Sequence, residues 1–167
     1  MTSTHDPVSV FVESAREFCQ VIEGHRKGSR KSFLQRAAAT LARLYAGAVH
    51  LPRRNSSGRV KARRLSRKEW QTLFMSLGRK LGRECCYWEC SNPYVREELM
   101  AGSLADDFAD IYRDIKPGLL SYDAGGATSR EAAVTEWRSA MLSHWGQHAT
   151  GALRVLYHLS SERRLAD

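Results

Sequence analysis

The sequence has no apolar run long enough to span a membrane. Its opening, MTSTHDPVSVFVESARE, has no basic segment followed by an apolar one. The first absence argues against a transmembrane helix and the second against a secretory signal, so the cytosol is the expected compartment and no membrane partner is expected. Cysteine is scarce: four residues, Cys19, Cys85, Cys86 and Cys90, with no C-x-x-C pair. Adjacent cysteines make a poor structural zinc arrangement, and reduced thiols are the plainer reading. There is no glycine-rich phosphate loop and no serine nucleophile elbow. Strand pairs with hairpin chemistry and internal repeats are also missing.

The 167 residues suffice for one domain with a sizeable core. With 43% hydrophobic and 26% charged residues, global disorder is not expected. Helix signals dominate. Asp6-Pro7 supplies an N-cap and first-turn proline, and Val8, Phe11, Ala15, Phe18 and Ile22 follow at helical spacing up to Gly24. A second helix is predicted from about Ser32, with its stripe running from Leu34 to Leu51 and stopped by Pro52. Ser66-Arg67-Lys68-Glu69 matches a capping box ahead of the stripe Trp70, Leu73, Phe74, Leu77 and Leu81, which Gly82 closes. Residues 83–102 are the least regular, with CYWEC extended and Asn92-Pro93 a turn. Ser103 caps a fourth helix that Pro117-Gly118 is expected to break or kink near Lys116. Thr128 to Glu131 reads as a second capping box, opening a last helix that continues to about Glu162 unless Gly146 or Gly151 bends it. The expectation is an all-α, single-domain antiparallel bundle of about five helices over residues 1–167, with a basic loop at 52–65 inside it.

The net charge of +8 is local. Arg53, Arg54, Arg59, Lys61, Arg63, Arg64, Arg67 and Lys68 lie in an acid-free tract, and the remainder has eighteen basic and eighteen acidic residues. Such a tract could hold RNA or another polyanion through salt-dependent contacts. It has no aromatic for base stacking, and a solvated loop is its plainer reading. Trp70, Trp88, Trp137 and Trp145 are assigned to the core or a pocket, not to a nucleobase platform.

The segment SLADDFADIYRD places four aspartates in one predicted helix. On a helical wheel Leu104, Phe108, Ile111 and Ile115 share the buried face, and Asp106, third after the Ser103 cap, is a first-turn carboxylate. Arg113 is placed in solvent. Asp107, Asp110 and Asp114 form a separate stripe along one flank of that face, with Asp107 and Asp114 at the core boundary, where a carboxylate needs a partner. On the last helix His144 and His148 share the face of Trp137 and Met141, at the i, i+4 spacing of two metal ligands. These five residues would make a mixed nitrogen and oxygen site for a divalent metal. The plainer alternative is a His–Asp hydrogen-bond network without cofactor.

GSLADDFADIYRDIK and EWRSAMLSHWGQHATGALRVLYHL resemble the signature regions of a bacterial family of small helical proteins defined only as a domain of unknown function. FCQVIEGHRKGSRKSFLQRAAATLARLYAGAVHLP is similar to its N-terminal helices. The resemblance implies an all-α fold and a bacterial source, and no activity. Pro117 departs from the helix-compatible residue expected there. Two weaker likenesses concern chemistry. Arg138 and His144 form an R-x5-H spacing similar to the HEPN-type ribonucleases, but a straight helix would point them about 120° apart. The all-α nucleotide pyrophosphohydrolases share the fold class, but their E-E-x-x-E pattern is missing. The function expected first is a non-catalytic binding or regulatory module with a protein or polyanion partner. A metal-dependent phosphoester or nucleotide hydrolase using the Asp/His cluster is the alternative, and RNA binding through the basic loop a further one.

Overall fold

The computed structural model of the chain describes residues 6–54, 58–90, 92–96 and 99–161. Helix α1 (Pro7–Glu23) starts where the Asp6 carboxylate accepts the Ser9 backbone N–H, and it buries Phe11, Ala15, Phe18 and Ile22. Helix α2 (Arg30–Val49) begins earlier than Ser32, because the Ser29 hydroxyl is the cap and accepts the Ser32 N–H at 3.1 Å. Helix α3 (Arg67–Leu81) carries the full Ser66/Glu69 capping box and ends at Gly82, whose φ of 62° suits a residue without Cβ.

The region expected to be irregular contains a small sheet. After a short 3-10 turn (Gly82–Cys85), β1 (Cys86–Glu89) pairs antiparallel with β2 (Met100–Ser103), with Cys86 opposite Ser103 and Glu89 opposite Met100. The pair is not a tight hairpin and so carries no two-residue turn signal. Gly102 lies beneath the Tyr87 ring, where a Cβ would come within 2.5 Å of a ring carbon.

Helix α4 (Leu104–Asp123) runs through Pro117, contrary to the break expected at Lys116. The cost of a proline inside a helix is offset by position, since α4 packs against α1, α3, α5 and α6. The Trp137 indole lies against Gly118 and donates its Nε1–H to the Ile115 carbonyl at 3.1 Å. Helix α5 (Ala127–Ala140) also corrects an expectation. Its N-cap is Gly126, so Thr128 sits inside the first turn and makes no capping box. A π-helical turn (Met141–Trp145) joins α5 to α6 (Gly146–Ser161). The fold is thus a mostly all-α bundle of five helical rods around one hydrophobic core.

Trp137 and Trp145 are fully buried in that core. Trp70 is half-buried, and Trp88, 69% exposed, lies outside the core but lines a surface cleft. Cys19 is buried, which pushes its thiol up to about 12 and makes it unreactive. No helix among the described residues is long and apolar enough to cross a membrane.

Candidate metal centre

Helix α4 is surrounded by other helices, so its acid stripe points into the protein. Asp107 and Asp110 are buried and Asp114 is half-buried. Across from them stands the π turn. A widened turn inside an α-helix redirects the side chains on either side of it and is frequent at functional sites. Gly146 makes this turn possible, because a Cβ there would lie 2.3 Å from the Met141 carbonyl oxygen.

The five acid and histidine residues meet in an ordered pattern. His144 donates from Nδ1 to Asp114 Oδ2 at 2.7 Å, and His148 from Nδ1 to Asp107 Oδ1 at 2.9 Å. Each ring is therefore held by a carboxylate on one nitrogen, which fixes the neutral tautomer with its lone pair on Nε2. Both Nε2 atoms face the same atom, Asp110 Oδ2, at 3.7 Å from His144 and 3.6 Å from His148. Those separations are too long for hydrogen bonds. They are close to the ~3.4 Å between ligand atoms around a tetrahedral ion with bonds of about 2.1 Å. Neither Nε2 has a hydrogen-bond partner among the described residues. Asp110, His144 and His148 are also the only group of His, Cys, Asp or Glu among the described residues with metal-ligand spacing.

The other oxygen of Asp110 is held separately. Trp70 Nε1–H donates to Oδ1 at 2.6 Å, and Arg113 reaches the same oxygen at 3.0 Å. Arg113 is therefore not in solvent as the wheel placed it; it bends along α4 onto Asp110 and over the Trp70 ring. Asp107 gains a second donor from the Tyr87 hydroxyl at 2.9 Å. Tyr87 reaches it across Gly151, where a Cβ would sit 3.0 Å from the phenol oxygen and 2.9 Å from Glu89 Oε2.

Trp70, Arg113 and Tyr87 are the site residues that sequence reasoning missed. Trp70 lay on an apolar stripe, and an indole N–H leaves no mark on periodicity. Tyr87 lay in the segment without a helical period.

The electrostatics suit a cation. Three aspartates face one arginine and two histidines, so the pocket is negative while the imidazoles are neutral. The hydrogen bond to Asp107 raises the His148 pKa above the ordinary histidine value. Burial raises Asp107, and the bonds from His148 and Tyr87 oppose that rise. In the absence of metal, the pair thus retains a proton to higher pH than an isolated imidazole. Asp106 is also raised, by burial and by the Asp110 charge beside it.

The other sequence candidates lie elsewhere. The basic tract is partly neutralised by acids. Arg63 grips Glu69 through two bonds of 2.8 and 2.6 Å, Arg64 pairs with Glu136, and Arg54 lies 3.9 Å from Glu131. Arg67 and Lys68 belong to the first turn of α3, while Arg53, Arg59 and Lys61 are exposed. Arg138 donates to the Leu51 carbonyl at 2.8 Å, and His144 is committed to Asp114, so the R-x5-H pair does not act together. The cysteines are free thiols; Cys90 bonds the Asn92 carbonyl and Cys85 the Ser103 hydroxyl.

His148 also borders a surface cleft of about 340 Å³ with Glu89, Cys90, Gln147, Gly151 and Arg154. The candidate centre therefore has an approach from solvent.

No curated protein matches the chain. Among solved structures it is similar to protein BF1032 from Bacteroides fragilis, with a TM-score of 0.80 over 93% of this chain and 92% of that one. At 22% identity the likeness shows a shared fold and nothing about activity. The family model for the domain of unknown function DUF5063 matches residues 2–162, and the chain belongs to that family.

Proposed function

We propose that Asp110, His144 and His148 bind one divalent transition-metal ion, and that the centre hydrolyses a phosphoester. The observation that supports this is the shared orientation of the two histidines. Asp107 and Asp114 each take an Nδ1–H, and the Nε2 atoms of both rings lie 3.6–3.7 Å from Asp110 Oδ2. Three protein ligands leave coordination positions open, which is the usual difference between a catalytic and a structural site. A bound divalent ion would lower the pKa of a water molecule there. The chain itself contributes the ligand set, the carboxylates that orient it, and the cleft beside His148. This reading is preferred to a non-catalytic module because both Nε2 atoms converge on one carboxylate oxygen at ligand-to-ligand spacing and hydrogen-bond none of the described residues.

The test is elemental analysis of protein purified without chelator, together with thermal unfolding in zinc, manganese and magnesium. The expected result is close to one equivalent of metal, and a stabilisation of about 2.7 kcal/mol when free ion reaches 100 times the Kd. Both effects should vanish in Asp110→Ala. Absence of bound metal and of any thermal shift would end the reading.

A further inference from the structure

The surface of α6 holds two clefts that meet at Arg154. The first is the one bordered by His148. The second, of about 450 Å³, is lined by Arg83, Glu84, Trp88, Arg154 and His158 among others. His148, Gly151 and Arg154 form a single i, i+3, i+6 row on α6, so the guanidinium root lies about 9 Å along the helix from the candidate metal ligand. Strand β1 crosses this row with Tyr87 and Glu89 turned inward over Gly151 and Trp88 turned outward.

The second cleft combines three kinds of group. Arg154 makes no hydrogen bond or ion pair among the described residues. Glu84 is a buried carboxylate, and Arg30 at 3.0 Å and Arg83 at 3.1 Å offset its charge, so the cleft keeps a positive balance. Trp88 is the one tryptophan with most of its ring in solvent. An exposed indole costs solubility and gives no core energy, but it suits stacking on a flat ring. A guanidinium suits the oxygens of a phosphate.

We infer that this groove binds a nucleoside phosphate, with the base on Trp88 and the phosphate on Arg154. The groove then presents the phosphate on the side that leads to His148. Its hydrolysis rests on the metal centre proposed above; its binding does not. Glu89 stands between the two and repels a second negative group, so a monophosphate fits better than a long polyphosphate.

The experiment is titration of the full-length protein with AMP, adenosine and inorganic phosphate, followed by tryptophan fluorescence and calorimetry. Each titration is run on chelator-treated and on metal-loaded protein. Trp137 and Trp145 are buried and Trp70 is half-buried, so the part of the quenching that Trp88→Leu removes reports on Trp88. Saturable quenching by AMP is expected, with adenosine and phosphate each at least tenfold weaker. Trp88→Leu and Arg154→Gln should each reduce AMP affinity tenfold or more without changing thermal stability. Binding that survives chelator treatment while metal analysis is negative would remove the metal centre and keep the groove. No saturable AMP binding in either form, or AMP binding that both variants leave unchanged, would overturn the groove.

Discussion

The indole Nε1 of Trp70 lies 2.6 Å from Oδ1 of Asp110, joining α3 to the acid stripe of α4. That bond and the Arg113 contact occupy one oxygen of the carboxylate and leave the other facing two histidines. Trp70→Phe keeps an aromatic ring beside Phe74 and removes only the donor. Outer-shell partners of this kind typically alter metal affinity about 10- to 100-fold. A loss of roughly tenfold is expected, the low end of that range because Arg113 remains. Competition against a zinc-binding dye measures it, and an unchanged affinity would show that Oδ1 needs no orienting donor.

Asp107→Asn and Asp114→Asn test the other half of the arrangement. An amide oxygen can still accept the Nδ1–H, so both variants should fold. It is a poorer acceptor, and each should weaken metal binding about 10- to 100-fold. In the metal-free protein Asp107→Asn should also lower the His148 pKa, since the carboxylate is what raises it. The sign of the stability effect follows. A histidine with a raised folded pKa stabilises fully below about pH 6.5, its unfolded value, and that contribution fades as pH rises through the folded value. NMR titration of the His148 ring reads the pKa directly.

Much of this was legible in the sequence, for physical reasons. The buried face of α4 follows from a 3.6-residue period, and the same wheel sets Asp107, Asp110 and Asp114 apart from Asp106. The pairing of those acids with His144 and His148 depends on helix packing, which the wheel cannot supply; sequence offers only matching chemistry. Pro117 misled because its local penalty is offset by the tertiary packing of a central helix. Trp70 and Arg113 were missed because their roles depend on one donor atom each, not on a pattern. The β pair escaped because its strands are four residues long and joined by a long connection.

Gly118→Ala addresses the surroundings of Pro117. A Cβ at 118 would fall 2.2 Å from Trp137 Nε1, and the fully buried indole has no space to retreat. Overpacking of this kind costs about 1–3 kcal/mol. The variant should show that loss in urea unfolding, with a changed near-ultraviolet signal from Trp137. A neutral result would mean that α4 can shift along α5 without cost.

His25 gives the last expectation, and its sign is opposite to that of His148. Its ring is buried between α1 and α3, with Nδ1 donating to the Ile22 carbonyl and Nε2 accepting from the Ser76 hydroxyl, both at 2.7 Å. Ser76 also accepts from Arg26. Burial lowers the His25 pKa; the Ile22 bond opposes this, and the charges of Arg26, Lys80 and Arg79 add to it. The folded protein therefore resists a proton that the unfolded chain takes up near pH 6.5. Stability from this residue is complete above that pH and falls as pH drops toward the folded value. His25→Gln should cost about 1 kcal/mol at pH 8 through a poorer hydrogen-bond fit, and the cost should shrink toward pH 5. Urea unfolding of the wild type and the variant across that range isolates the term, because the contributions of His148 and the aspartates cancel in the difference. A gap that widens on acidification would show that His25 is protonated in the folded protein and that Ser76 accepts from it.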